Sequence, residues 1–111
     1  MKMKSEMITI MSNTFFQTSL GEVKKAVLES LKHENVQIIL FGSAARDDVH
    51  RDSDIDIGYL PKGDYERKSM ILLKEKLENM NIPYTVELVD LSTVSELFLE
   101  IIFQEGEVWK S

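Results

Sequence analysis

The sequence predicts an α/β (α+β) fold, a small mixed β-sheet of about three to four strands packed with about three to four helices. Three observations carry that expectation. A short apolar run, Val36 to Phe41, stops abruptly at Gly42. A second segment, Asp54 to Leu60, alternates with the two-residue period of a strand. Stretches with helical periodicity precede, separate and follow these segments.

Ser19 and Glu22 form a capping-box pattern, and Leu20, Val23, Val27 and Leu31 recur at helical spacing, so a helix is expected from Ser19 to about His33. Val36 to Phe41, apolar except for Gln37, reads as a short buried strand. Gly42 ends it with a residue free to adopt unusual backbone angles, and a tight turn or helix start should follow. In the next strand Asp54, Asp56 and Gly58 share one face, while Ile55, Ile57 and Tyr59 anchor the other. After the Pro61-Lys62-Gly63 turn, Asp64 is the expected cap of a helix to about Met80, with Leu73, Leu77 and Met80 on its apolar stripe.

Pro83 to Leu91 reads as another strand, with Tyr84, Val86, Leu88 and Asp90 on a common face. Ser92 is the expected cap of a last helix, whose stripe of Val94, Leu97, Phe98, Ile101 and Ile102 is assigned to the core. The tail from Phe103 to Ser111 fits either a continuation of that helix or a short edge strand.

With 111 residues the chain suits a single domain, and a domain of that size buries roughly two thirds of its unfolded surface. Residues 1–12 read as an N-terminal extension and 13–111 as the domain. Met1-Lys2-Met3-Lys4 imitates the basic end of a signal peptide, but Glu6 follows and the next apolar stretch is too short and polar. No apolar run approaches the roughly 20 residues that span a bilayer. The absence of cysteine excludes disulfides and thiolate metal sites and fits a reducing cytoplasm.

A net charge of -6 argues against direct nucleic-acid binding, which relies on Lys and Arg to neutralise phosphates. The acids are also concentrated: Asp47, Asp48, Asp52, Asp54 and Asp56 lie in one stretch, inviting divalent cations. His33 and His50 fall in no zinc or serine-triad pattern. Trp109, outside the periodic core, is read as either a clamp on that core or an interface anchor.

Gly42-Ser43, with Asp54-Ile55-Asp56 ten residues on, combines a phosphate-cradling turn with paired carboxylates. The two aspartates project in parallel, roughly 7 Å apart at the backbone, and suit Mg²⁺, which prefers oxygen ligands and substrate phosphates. Two such ions could stabilise the attacking and leaving oxygens of an in-line displacement, so metal-assisted transfer from a nucleoside triphosphate is expected. Asp90 is the candidate third carboxylate, because its strand can lie beside that of Asp54 and Asp56; Glu87 points to the opposite face and ranks below it. Ser43 offers a hydroxyl to phosphate, and Arg46 fits either a phosphate contact or an ion pair with Asp47 or Asp48. The whole spaced pattern should arise by chance in roughly one chain per thousand of this length.

Through Phe41-Gly42-Ser43-Ala44-Ala45-Arg46, Ser53-Asp54-Ile55-Asp56-Ile57 and Val86-Glu87-Leu88-Val89-Asp90-Leu91, the chain resembles the minimal nucleotidyltransferases of the DNA polymerase beta superfamily. Within them it is most similar to the MntA-like antitoxins paired with HEPN-domain toxins. Asp47 stands where members often carry glycine after the arginine. The resemblance implies a nucleotidyltransferase fold, with Asp54, Asp56 and Asp90 as metal-binding catalytic acids and Gly42, Ser43 and Arg46 at the nucleotide. It further implies Mg²⁺, ATP as substrate, and transfer of AMP to a tyrosine of a partner HEPN ribonuclease, which the modification silences. Neutralisation by stable association and transfer to a small molecule are the alternatives.

Overall fold

The computed structural model describes the backbone of residues 2–45 and 54–111, with side chains from residue 14 onward. In chain order it comprises helix α1 (Lys2–Leu31), strand β1 (Val36–Phe41), a 3₁₀ turn (Gly42–Ala44), β2 (Ile55–Pro61), α2 (Arg67–Glu78), β3 (Val86–Asp90), a second 3₁₀ turn (Leu91–Thr93), α3 (Glu96–Glu105) and β4 (Glu107–Lys110). The strands form one sheet in the order β3-β2-β1-β4. β1 is antiparallel to both its neighbours, and β2 runs parallel to β3, with α2 as the crossover. The mixed sheet and three helices match the expected class, and the tail first continues α3 to Glu105 and then forms the edge strand β4.

Alternation along the strands divides the core in two. One sheet face carries Ile38, Leu40, Ile55 and Ile57, and packs against Phe16, Val23, Val27 and Leu31 of α1 and Met70, Leu73 and Leu77 of α2. The other face packs Ile39 with Leu91 and with Ile102 of α3. Each fully buried side chain of this size contributes roughly 1.5–3 kcal/mol by leaving water.

Three boundaries and one burial assignment differ from the sequence reading. α1 is a continuous 30-residue helix rather than one starting at Ser19. Ser19 is only 4% exposed because the packed stripe extends back to Phe16, whose ring meets Tyr84 edge-on at 5.0 Å. Tertiary packing therefore overrides the local capping box. α2 begins after Glu66, not at Asp64, and its cap comes from afar: Glu34 accepts hydrogen bonds from the Glu66 N–H and the Ser69 hydroxyl, both at 2.9 Å. α3 is capped by Ser95, whose hydroxyl accepts from the Phe98 N–H at 3.2 Å, and Ser92 instead lies in the preceding 3₁₀ turn.

The fourth difference concerns the α3 stripe assigned to the core. Ile102 is buried, but Leu97 is 69% exposed, Phe98 45% and Ile101 41%. A ten-residue helix resting on a narrow strip of sheet can bury only one side, and the apolar arc is wider than that side.

At the opposite edge, Lys110 closes α1 by donating from Nζ to the Leu31 carbonyl at 3.1 Å and to that of Glu34. Trp109 is half-buried against the α1 side of the core, with the Lys24 ammonium 5.7 Å from its ring centre. It clamps the core.

Candidate active site

Register decides which acids meet. Phe41 pairs with Asp56, and Asp56 pairs with Glu87, so these three form a row across β1, β2 and β3 on one face of the sheet. Neighbours in register project to the same side. Asp90 pairs with Tyr59 instead, one position out of phase and therefore on the opposite face. The structure thus brings Glu87, not Asp90, beside Asp56.

Electrostatics agree with that geometry. The Asp56 carboxyl is held above its ordinary value, first by burial and then by the negative charges of Glu87 and Asp54. Asp90 is engaged elsewhere: its Oδ1 accepts from the Ser92 N–H at 2.9 Å and the Ser92 hydroxyl at 2.6 Å, shaping the turn into α3. Its charge is felt by Tyr59, whose phenol is pushed up to about 12, chiefly by burial and then by Asp90.

Asp54 sits immediately before β2, exposed, where the Ile55 N–H donates to the Thr85 carbonyl at 2.8 Å and fixes the start of the parallel pairing. Of the residues expected at the phosphate, Gly42 lies beside Asp56. Gly42 has φ of 74°, a left-handed conformation that L side chains rarely adopt. A Cβ added there would lie 2.5 Å from Asp56 Oδ2, so the glycine both makes the turn and admits the carboxylate. Ser43 follows within the 3₁₀ turn, whose leading N–H groups have no partners inside it. Gly58, two residues beyond Asp56, lets Leu91 pack directly over β2; a Cβ there would meet Leu91 at 2.6 Å. Arg46 lies outside the described residues.

A cleft of about 170 Å³ adjoins the turn, lined by Phe41, Gly42, Phe98, Ile101, Ile102 and Glu105. The sequence alone ranks Glu87 below Asp90 and assigns the α3 side of this cleft to the core. The acidic residue opposite Asp56 was present in the alternation of Val86 to Asp90, but only the β2–β3 register chooses between its two faces. Among the described residues, no three acidic or imidazole groups already stand as a closed metal cage. Asp54, Asp56 and Glu87 bring oxygen donors only, the ligand type that hard divalent cations take, and burial followed by the charges of Glu87 and Asp54 holds the Asp56 carboxyl up.

Asp54 and Asp56 at the start of β2, a left-handed glycine turn pressed against Asp56 and a third acid on the parallel neighbour come close to the grouping that the sequence predicts for nucleotidyl transfer. In agreement, residues 25–111 match the polymerase beta nucleotidyltransferase family, and the chain belongs to that family. Among solved structures it is similar to a toxin–antitoxin complex crystallised with AMP-PNP, at 27% identity and a TM-score of 0.59, over 78% of this chain and 71% of that one. It is also similar in fold to a chain of the Shewanella oneidensis complex between a tri-AMPylated HEPN toxin and its MNT antitoxin, at 23% identity and a TM-score of 0.54, over 80% and 70%. No curated protein sequence matches the chain. None of the described helices is long and apolar enough to cross a membrane.

Proposed function

We propose that this chain is a Mg²⁺-dependent protein adenylyltransferase that acts as an antitoxin, moving AMP from ATP to a tyrosine hydroxyl of a HEPN-domain ribonuclease. The observation that carries the reading is the contact between Asp56 and the Gly42 turn, with Asp54 and Glu87 adding charge around it.

In the proposed reaction the tyrosine oxygen bonds to the α-phosphorus of ATP, the bond to the β-phosphate oxygen breaks, and pyrophosphate and a proton leave. Gly42 and Ser43 hold the phosphates through backbone N–H groups and a hydroxyl. Asp54, Asp56 and Glu87 hold Mg²⁺, which when bound offsets phosphate charge and lowers the cost of ionising the acceptor. Glu87, the exposed end of the cluster, takes the acceptor's proton. The acceptor as a HEPN toxin rests on the similarity to antitoxin chains, two of them in complexes that hold AMP-PNP or an AMPylated toxin.

Incubation with ATP labelled at the α-phosphate, Mg²⁺ and the cognate HEPN protein tests the reading. The label should pass to the toxin with wild type and fail to do so with Asp54→Asn or Asp56→Asn. Equal labelling by wild type and these variants would sink it.

A further inference from the structure

The exposed apolar arc of α3 lies on the side of the helix that borders the cleft at Gly42. Phe98 and Ile101 line that cleft, and Leu97, the most exposed large apolar residue of the described chain at 69%, continues the arc outward. Residues 97 and 101 are one turn apart and 98 lies between them, so the three form a contiguous ridge rather than scattered surface residues. A single exposed leucine needs no explanation, but a ridge of three beside an active site does.

The border of the ridge is acidic. Glu96 and Glu100 flank it one turn apart, and together with Leu97 of the ridge itself, Leu99 and Phe103 they line a second, open groove along α3. No basic residue lies on α3, and the chain as a whole carries a net charge of -6. Apolar anchors with a single-sign charged rim select a partner of opposite charge pattern.

We propose that the α3 ridge is the docking surface for an amphipathic helix of the acceptor protein, one with an apolar stripe bordered by Lys or Arg. The apolar stripe sits on Leu97, Phe98 and Ile101, and the basic border faces Glu96 and Glu100. This deepens the adenylyl-transfer reading and rests on it for the identity of the acceptor. Because the ridge runs into the cleft at Gly42, a helix seated there holds its own protein against the phosphate turn. The small domain thereby obtains from its partner the acceptor side of the site.

The test uses the full-length chain and two fluorescein-labelled synthetic helical peptides, identical in a leucine stripe, one flanked by lysine and the other by glutamate. By fluorescence anisotropy the lysine peptide should bind at least about tenfold more tightly than the glutamate peptide. Leu97→Ser, and separately Glu96→Lys combined with Glu100→Lys, should each weaken it about tenfold. Ile71→Ser combined with Leu72→Ser, which alters the exposed apolar residues of α2, should not. Equal binding of both peptides, indifference to the α3 changes, or equal loss with the α2 change overturns the proposal. So does sedimentation showing a wild-type dimer that Leu97→Ser converts to monomer, because the ridge then belongs to a second copy. The Leu97→Ser variant should retain the thermal shift of wild type with Mg²⁺ and AMP-PNP. Should wild type itself show no such shift, the nucleotide reading fails while the peptide titration still decides the surface.

Discussion

Asp90 and Glu87 are three positions apart on one strand, and the fold turns them to opposite faces of the sheet. Glu87→Gln is expected to lower nucleotidyl transfer by about 10² or more, the usual scale for a lost proton acceptor, with little change in stability. Asp90→Ala should leave the transfer rate near wild type. It should cost about 1–2 kcal/mol in urea unfolding, because two hydrogen bonds that shape the turn before α3 disappear. The reverse pattern would restore Asp90 as the third catalytic acid. Asp54 and Asp56 were legible from spacing alone, since their common face follows from the period of a single strand. Glu87 was not, because its partner is set by a parallel pairing with no local signal.

At the level of elements, the junction of α1, α2 and β4 turns on Glu34. Its carboxylate caps α2 through the Glu66 N–H and the Ser69 hydroxyl, and these bonds hold its pKa below the ordinary 4.5. A depressed carboxylate pKa contributes stability that is complete above the unfolded value and fades as pH falls through the folded one. Thermal melts of wild type and Glu34→Gln should therefore differ most above about pH 5 and converge as the pH drops below about 4. A gap independent of pH would show that the carboxylate's charge is not what caps the helix. No propensity rule finds such a cap, since Glu34 and Ser69 are far apart in sequence. The stripes of α2 and the strand β1 were legible from periodicity because their burial follows directly from it. The α3 stripe misled for a physical reason: apolar spacing reports that a face avoids water, not whether the covering surface belongs to the same chain.

Across the whole molecule, the acids crowded around Asp56 cost the ligand-free protein stability. Its raised pKa means that ionisation costs folding free energy, so without metal the cost grows as pH climbs past the unfolded value of the carboxyl. Asp56→Asn should accordingly raise the melting temperature of the ligand-free protein and abolish its response to Mg²⁺ with AMP-PNP. In wild type, ligand at 100 times its Kd should add about 2.7 kcal/mol. A wild-type protein indifferent to both would contradict a nucleotide site. The broad architecture was legible because strand alternation and helical stripes are local, whereas the N-terminal reach of α1 was not, because Phe16 is ordered by Tyr84 on a distant segment. The most direct test of the central claim is mass spectrometry of a HEPN toxin co-expressed with this chain. The account predicts that the toxin gains mass in whole AMP increments on tyrosine with wild type and none with Asp56→Asn. A toxin neutralised by wild type yet unmodified would contradict it.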